Sequence, residues 1–434
     1  MREPGGVGPP RTPARPASSE APGGRGAPGG ADGPVRRYGA LALLTIAQVA
    51  ASFGTIGLPS LAPLLRQDLD LTVGQAGSVL SAFYLGRFIV SLPAGWLTDR
   101  WGARVTWLAG QAVAAVFLLI ASRSAGYMSL LVALTGVGLG FGTGNPSAQR
   151  AVMEWFPPSG RATAVGIRQT GAPTGGALGG LLLPTLALAY GWRAGIAIAA
   201  ILVCGMFALS ALAFRMPRRP ALADETEAPP AEGLPGVGQA LRARGAVLAL
   251  LTGITALFSC VQMAYTGFLT LYLNGVLGYS VQAAGVLLAQ ANLGGMAGTI
   301  LLGIVSDRCF GGRRKPVLVG CALLVGGMLV AQAEGALWPT WLLAALVMAL
   351  GALAIGWDGV HFAMVGEMAP RGRTGLALGI GHLGSTAGAV VGPILFGKVL
   401  GWTGSFGTAW LFAGALAAAN AAALSLLPEP QRKH

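Results

Sequence analysis

Four side chains in this sequence join charged or titratable chemistry to an apolar setting: Arg87, Asp358, His361 and His382. Arginine stays protonated at physiological pH, and its planar fork matches an oxyanion. Arg87 lies twelve residues before Asp99, which opens the charged cluster closing its apolar run. In a helix that places it roughly 18 Å from that end. Within a bilayer this is near the midplane, too deep to snorkel, and costs at least about 2.5–3.5 kcal/mol. The first half of the chain offers no acid at that depth, because Asp68 and Asp70 lie at the far side and Asp99 and Glu154 at the near edge. A substrate anion and Asp358 are the remaining partners. Asp358 is the one acid well inside a later apolar run, nine residues before Glu367 and so about 13–14 Å in. His361 follows at i+3 on the same helix face, and imidazole titrates near neutral pH. With His382, this pair is expected to bind and release a proton during a working cycle. The alternatives are a structural Arg87–Asp358 ion pair and histidines that bond backbone carbonyls.

Polar side chains scattered through other apolar runs complete the candidate lining. Gln48, Tyr84, Gln262, Tyr265 and Asn292 are expected to face substrate, with Gln290 beside them, although bonding between helices would use the same residues. Arg168 lies seven residues past Arg161, about 10 Å in. It reads as snorkelling to headgroups or packing in a charge cluster rather than guiding an anion.

The elements that must position these residues follow from composition. The 434 residues are 53% hydrophobic and 10% charged, against about 25% charged in soluble proteins, so a bilayer is the expected solvent. Twelve apolar runs of about 20 residues or more, each long enough to span, fall in two sets of six. Residues 1–37, rich in Pro, Gly, Ala and Arg and without an apolar core, read as a disordered cytoplasmic tail and not a signal peptide. Residues 38–214 form the first six-helix bundle, 215–244 a cytoplasmic linker, 245–428 the second bundle and 429–434 a short cytoplasmic tail. Of the 29 Lys and Arg, four fall in loops on one side (Arg66, Arg123, Arg193, Lys398) and three within spans (Arg87, Arg150, Arg168). The rest lie on the opposite side, which the positive-inside rule makes the cytoplasm, with both termini there. That distribution explains the +13 net charge without a nucleic-acid surface. The four cysteines show no framework or metal spacing. No phosphate-binding loop occurs, so neither a cofactor nor direct use of ATP is expected. No nucleophile–base or paired-carboxylate set stands out, so an enzyme is not expected. The arginine-rich, alanine- and glycine-rich usage fits a GC-rich bacterial genome and hence a cell (inner) membrane.

The runs repeat. Gly95–Arg104 reads G-W-L-T-D-R-W-G-A-R and Gly303–Arg314 reads G-I-V-S-D-R-C-F-G-G-R-R, so that Asp99 corresponds to Asp307. Gly166, Gly171, Gly175 and Gly179 match Gly379, Gly384, Gly388 and Gly392 at a constant offset of 213, which also pairs Asn145 with Asp358 and Gln169 with His382. Gly95, Asp99, Arg100, Gly102 and Arg104, repeated in part by Asp307 and Arg308, resemble the signature loop between helices 2 and 3 of the major facilitator superfamily. The resemblance covers about 39–427. It implies an all-α fold of twelve transmembrane helices in two pseudo-symmetric six-helix bundles, alternating access between them, and no cofactor or metal. It also implies that Asp99, near the start of span 11, latches the cytoplasmic side, with Arg100, Arg104 and Arg373 completing the cluster.

A deep arginine in helix 2 is similar to the nitrate/nitrite and organic-anion branches, although the glycine–asparagine signature of nitrate porters is absent. The expected activity is therefore secondary transport of a small organic anion, a carboxylate, with protons or by exchange, by a monomer in the lipid bilayer. Proton-driven efflux of drug-like compounds is the alternative. It fits less well, because Gly171-Ala-Pro-Thr-Gly-Gly176 matches the antiporter motif loosely and Thr135 and apolar residues stand where helix 4 of such antiporters carries arginine. A receptor or scaffold on the same fold is the alternative of another class.

Overall fold

The computed structural model describes residues 34–156, 158–217, 237–334, 338–368 and 374–427. Most of the expected tails and linker, and Arg373, lie outside the described residues.

Twelve helices are long and apolar enough to cross a membrane, and among the described residues there is no strand. α1 (Pro34–Thr55) continues through a 3-10 turn at Leu58–Leu61 into a short helix, Ala62–Asp68. Thr72 and Gln75 then cap each other, the Gln75 N–H donating to Thr72 Oγ1 at 3.2 Å and the Thr72 N–H to Gln75 Oε1 at 2.9 Å, a capping box that opens the next helix. The helical run Val73–Ala121 reverses at Gly102, where φ is 80°, a value that glycine adopts without a steric penalty. It supplies α2 (73–101) and α3 (103–121). There follow α4 (Tyr127–Trp155), α5 (Thr163–Tyr190), α6 (Trp192–Ala213), α7 (Val237–Gly275), α8 (Val281–Arg308), α9 (Arg314–Ala333), α10 (Thr340–Met368), α11 (Thr374–Thr403) and α12 (Phe406–Leu426). Helix thus begins at Pro34 and at Val237, inside the stretches read from sequence as tail and linker.

Two spans are broken. α5 has a turn at Thr170, whose N–H is shared between the Gly166 and Ile167 carbonyls at 3.3 and 3.2 Å. α10 has a turn at residues 355–356, so that Trp357 starts a new helix. Backbone interrupted at membrane depth is tolerated where it is buried in protein or lines a cavity.

The halves α1–α6 and α7–α12 repeat each other in contacts as well as sequence. A Cβ on Gly171, Gly175 or Gly179 would come within 2.8 Å of the Thr45, Val49 and Phe53 carbonyls, and one on Gly384, Gly388 or Gly392 within 2.6 Å of those of Thr252, Ala256 and Cys260. Small residues thus let α5 lie directly on α1, and α11 on α7. Each half has its own core, Leu61, Leu118 and Leu130 in the first and Phe268, Trp357, Phe396 and Trp410 in the second.

Contact between the halves gathers at the end away from the Asp99 and Asp307 loops. There the Thr270 hydroxyl of α7 donates to the Pro59 carbonyl, Gly74 of α2 meets Gly397 of α11, and Gly180 of α5 meets Gly285 of α8. Further along the same helix, Gly166 of α5 has nothing within 4 Å of where its Cβ would be, and neither does Gly379 of α11. Among the described residues, the contacts between the halves therefore gather at one end, and these two positions near the loop end meet nothing.

A side chain at Gly285 would meet the Gly180 carbonyl at 2.3 Å, so Gly285→Val should wedge the sealed end open. With overpacking worth about 1–3 kcal/mol, a cysteine placed at buried Ala62 should react at least about fivefold faster with a membrane-impermeant maleimide. Unchanged labelling would show that this contact does not hold the seal.

Candidate functional site

Arg87 of α2 is held from behind by glycine. Gly138 and Gly142 of α4 pack against its backbone, a Cβ on either meeting Arg87 atoms at 3.0–3.2 Å, so α2 and α4 lie backbone to backbone at this depth. The guanidinium lies 5.5 Å from the Tyr84 ring and 5.8 Å from the Phe83 ring, where the faces of the rings attract a cation. No described carboxylate lies within ion-pair distance of it. Tyr84, Asp358 and His382 lie near enough to share its electrostatic neighbourhood, which associates Arg87 of the first half with α10 and α11 of the second.

Asp358 sits in the first turn of the helix that restarts after the α10 interruption, where unpaired N–H groups favour a negative group. Its Oδ1 is buried and has no described hydrogen-bond donor. Next to it Trp357 stacks flat on Phe258 of α7, with ring centroids 4.6 Å apart, and its indole N–H donates to Gln262 Oε1 at 3.0 Å. Behind the turn, a Cβ on Gly356 would come within 2.6 Å of Gly298 of α8. Asp358 is thus carried on a segment fixed from two sides.

His361 does not bond Asp358. It is fully buried, its Nε2 lies 2.6 Å from Thr255 Oγ1, and its ring sits among Phe258, Trp357 and Phe362. His382 is exposed and stacks on Phe362 at 4.2 Å. The structure therefore brings Arg87, Tyr84, Asp358 and His382 together and sets His361 one layer back. The other expected lining residues divide. Tyr265 is buried and donates to the Val347 carbonyl at 3.1 Å, which is a structural bond. Asn292 donates to Leu288 at 3.0 Å, with its Oδ1 against Gly176 of α5 at the joint between halves. Gln262 serves Trp357. Gln48 accepts from Arg168 at 3.5 Å.

Arg168 departs most from its reading. It is only 3% exposed and does not reach toward headgroups. Sequence also missed the partners in the two signature loops. Asp99 accepts from Arg150 at 2.7 Å, and Arg150 also reaches Glu154 at 2.9 Å. Asp307 accepts from Arg314 at 2.6 Å, and Arg314 reaches Glu367 at 3.2 Å. The i,i+4 spacing of Arg150 and Glu154 was the available signal. Arg104 donates to the Ala211 carbonyl at 2.8 Å and so ties down the end of α6, as Lys315 ties down the end of α12 through Ser425 and Leu427. Arg100 lies over Trp96 at 5.6 Å, and Arg308 is exposed. Gly95 faces open space. Among the described residues no group of three or more His, Cys, Asp or Glu could hold a metal ion.

The family model described as Major Facilitator Superfamily matches residues 44–359 and 284–434. The chain belongs to the major facilitator superfamily. It is a multi-pass membrane protein of that fold, and its relatives include transporters and a membrane sensor protein of Salmonella typhimurium, 27% identical over 85% of each chain. It is 29% identical to a hexuronate transporter of Bacillus subtilis (strain 168) over 82% of this chain and 86% of that one. It is 27% identical to a probable galactarate/D-glucarate transporter of the same organism, over 85% and 87%. Among solved structures, that of a nucleoside transporter matches with a TM-score of 0.73 at 14% identity, over 89% of this chain and 99% of that one.

In this superfamily member both signature acids pair within their own half, and their loops lie at the open end. The Asp99 side chain is 78% exposed, and such a pair contributes only about 0–1 kcal/mol to stability. Asp99→Asn should therefore leave expression unchanged and shift the melting temperature by no more than about 2–4 °C, while any transport measured in proteoliposomes falls by most of its rate. Unaltered uptake kinetics would remove Asp99 from the gating machinery.

Proposed function

We propose that this chain is a secondary active transporter that carries a small organic anion, with the carboxylate held on Arg87 and movement by alternating access. The observation that carries this reading is the Arg87 guanidinium, placed deep in a span over two aromatic rings without a described carboxylate in ion-pair distance. A permanent cation in that setting is stable when an anion or water meets it, and a bidentate oxyanion fits its fork. The gap it faces is closed at one end and open at the other, the geometry of a carrier with one side exposed. Positive charge on the loop-bearing end supports placing that end in the cytoplasm, and on that reading the arrangement is inward-open. The hexuronate and galactarate/D-glucarate relatives add that hydroxy-acid substrates suit this scaffold. Tyr84, beneath the guanidinium, closes one wall of the site.

We further read Asp358 as the proton-coupling group. Its orphan Oδ1 accepts a proton without breaking an existing bond, and it shares the field of Arg87. A substrate carboxylate and an ionised Asp358 compete for the same cation, so protonation of Asp358 favours substrate loading. His382 lies in the same field and His361 supports the layer behind.

Uptake of radiolabelled D-glucuronate by the purified chain in proteoliposomes, driven by an imposed proton gradient, tests the reading. Arg87→Gln should weaken apparent affinity by about 10- to 100-fold, the loss of a charge-assisted bidentate contact of about 1.5–3 kcal/mol. Retained affinity would end the anion reading, and binding without flux would make the chain a receptor. Asp358→Asn should preserve exchange of internal for external substrate and abolish accumulation driven by the proton gradient. Gradient-driven accumulation that survives this substitution would remove Asp358 from coupling.

A further inference from the structure

Arg168 is a second cation at membrane depth, and its surroundings are those of a binding group. The side chain is 97% buried by its 3% exposure. Nη1 donates to Gln48 Oε1 of α1 and to Asn145 Oδ1 of α4, both at 3.5 Å, and Nη2 donates to Gln169 Oε1 at 2.9 Å. Nε is buried with no described partner. Two contacts are at the outer limit of a hydrogen bond, and none is to a carboxylate. Neutral amides do not offset the desolvation of a guanidinium. The amides also mark where the cluster opens. Asn145 and Gln169 are exposed, Gln48 half-exposed, and amides at this depth face a wet gap in preference to lipid. The α5 helix breaks at Thr170, two residues on, as α10 breaks beside Asp358.

Pseudo-symmetry sharpens the point. The position matching Arg168 in the second half is Gly381, and the space beside it is filled by Phe362, 3.1 Å from where its Cβ would be. The position matching Asn145 is Asp358. The first half therefore presents two cations and no mid-span acid to the gap, and the second half presents one acid and no mid-span arginine.

We propose that Arg168, with Gln48, Asn145 and Gln169, forms a second oxyanion subsite, so that the substrate is a dianion whose other end lies on Arg87. This rests on the reading of Arg87 as an anion site. Arg87 lies twelve residues from the loop end and Arg168 seven, so the two differ in depth by about 7–8 Å, and a long, flexible sugar diacid reaches from one toward the other across the face of the first half. An incoming dianion meets Arg168 first, since it lies nearer the open end. The amides then orient the second carboxylate and donate to its hydroxyl neighbours.

Isothermal titration of the purified full-length chain with D-glucarate and D-gluconate tests this, because the two probes share a six-carbon hydroxylated chain and differ by one carboxylate. The wild type should bind glucarate at least about tenfold more tightly, the worth of one charge-assisted contact. Arg168→Gln should bring glucarate down to the gluconate level. Arg168→Lys, which keeps the buried charge without the fork, should give an intermediate preference with the melting temperature retained. A wild type without dianion preference, an Arg168→Gln protein that keeps it, or equal weakening of both probes in Arg168→Lys would each overturn the proposal, the last being the signature of a purely structural bolt. Arg87→Gln separates the two claims. Weakening of both probes there supports the first site, and no weakening of either removes it whatever Arg168 does.

Discussion

The organising constraint in this molecule is that a guanidinium cannot lose its charge in a medium that cannot solvate it. Arg87 and Arg168 are both set at membrane depth, neither has a described carboxylate partner, and the helices are arranged around that fact. Gly138 and Gly142 thin α4 so that Arg87 fits beside it. Tyr84 and Phe83 supply ring faces. Amides from three helices converge on Arg168. Arg150 near the end of α4 and Arg314 at the start of α9 are met by carboxylates. The two deep arginines have no described carboxylate, which is the contrast that the proposed binding roles rest on.

The twofold repeat supplies the scaffold, and the chemistry sits where the repeat breaks. The glycine ladders of α5 and α11 make the same contacts in both halves. At the level of the gap the correspondences fail: Asn145 against Asp358, Gln169 against His382, Gln48 against Thr255, Arg168 against Gly381. Two of these set a neutral amide in the first half against a titratable Asp358 or His382 in the second, and Arg168 in the first half stands against glycine. An identical pair of bundles would present like charges to each other, with repulsion across a low-dielectric gap. The division of labour gives an anion one cationic wall and leaves the facing wall able to change its charge.

Much of this was legible in the sequence because membrane solvent imposes long, one-signal elements. Twelve apolar runs, the two Asp-Arg loops and the offset of 213 were enough for the fold and family, and Arg87 was found by depth alone. What escaped has physical causes. The interruption at residues 355–356 leaves no mark in hydropathy, since Ile and Gly read as ordinary span residues, yet it puts Asp358 at a helix start. The Asp358–His361 partnership was expected from their i+3 spacing, which the helix restarting at Trp357 keeps, but His361 is held by Thr255 on α7, a contact between distant segments that spacing does not show. Arg168 was left between snorkelling, cluster packing and anion guidance from its distance to Arg161. A count of residues cannot show that Gln48 and Asn145, 120 and 23 positions away, converge on it. The bulk of the linker and tails was read from composition and lies outside the described residues.

Glycine brings backbones together both within the halves and between them, but within each half side-chain locks are added to it. Inside each half, polar side chains and stacked rings lock neighbours: Trp357 on Phe258 and Gln262, Arg104 on the end of α6, Lys315 on the end of α12. Across the sealed end the contacts are largely backbone on backbone, Gly74 with Gly397 and Gly180 with Gly285, together with apolar packing and the Thr270–Pro59 bond. Glycine joints carry no side chain that must leave a rotamer or surrender a salt bridge, so parting them exposes little polar surface and leaves both halves intact. Such a seam favours motion of rigid bundles over local unfolding. If the chain works as proposed, a carboxylate settling between Arg87 and Asp358 changes the electrostatics of the gap, and a seam without salt bridges to break lets that change decide which end is closed.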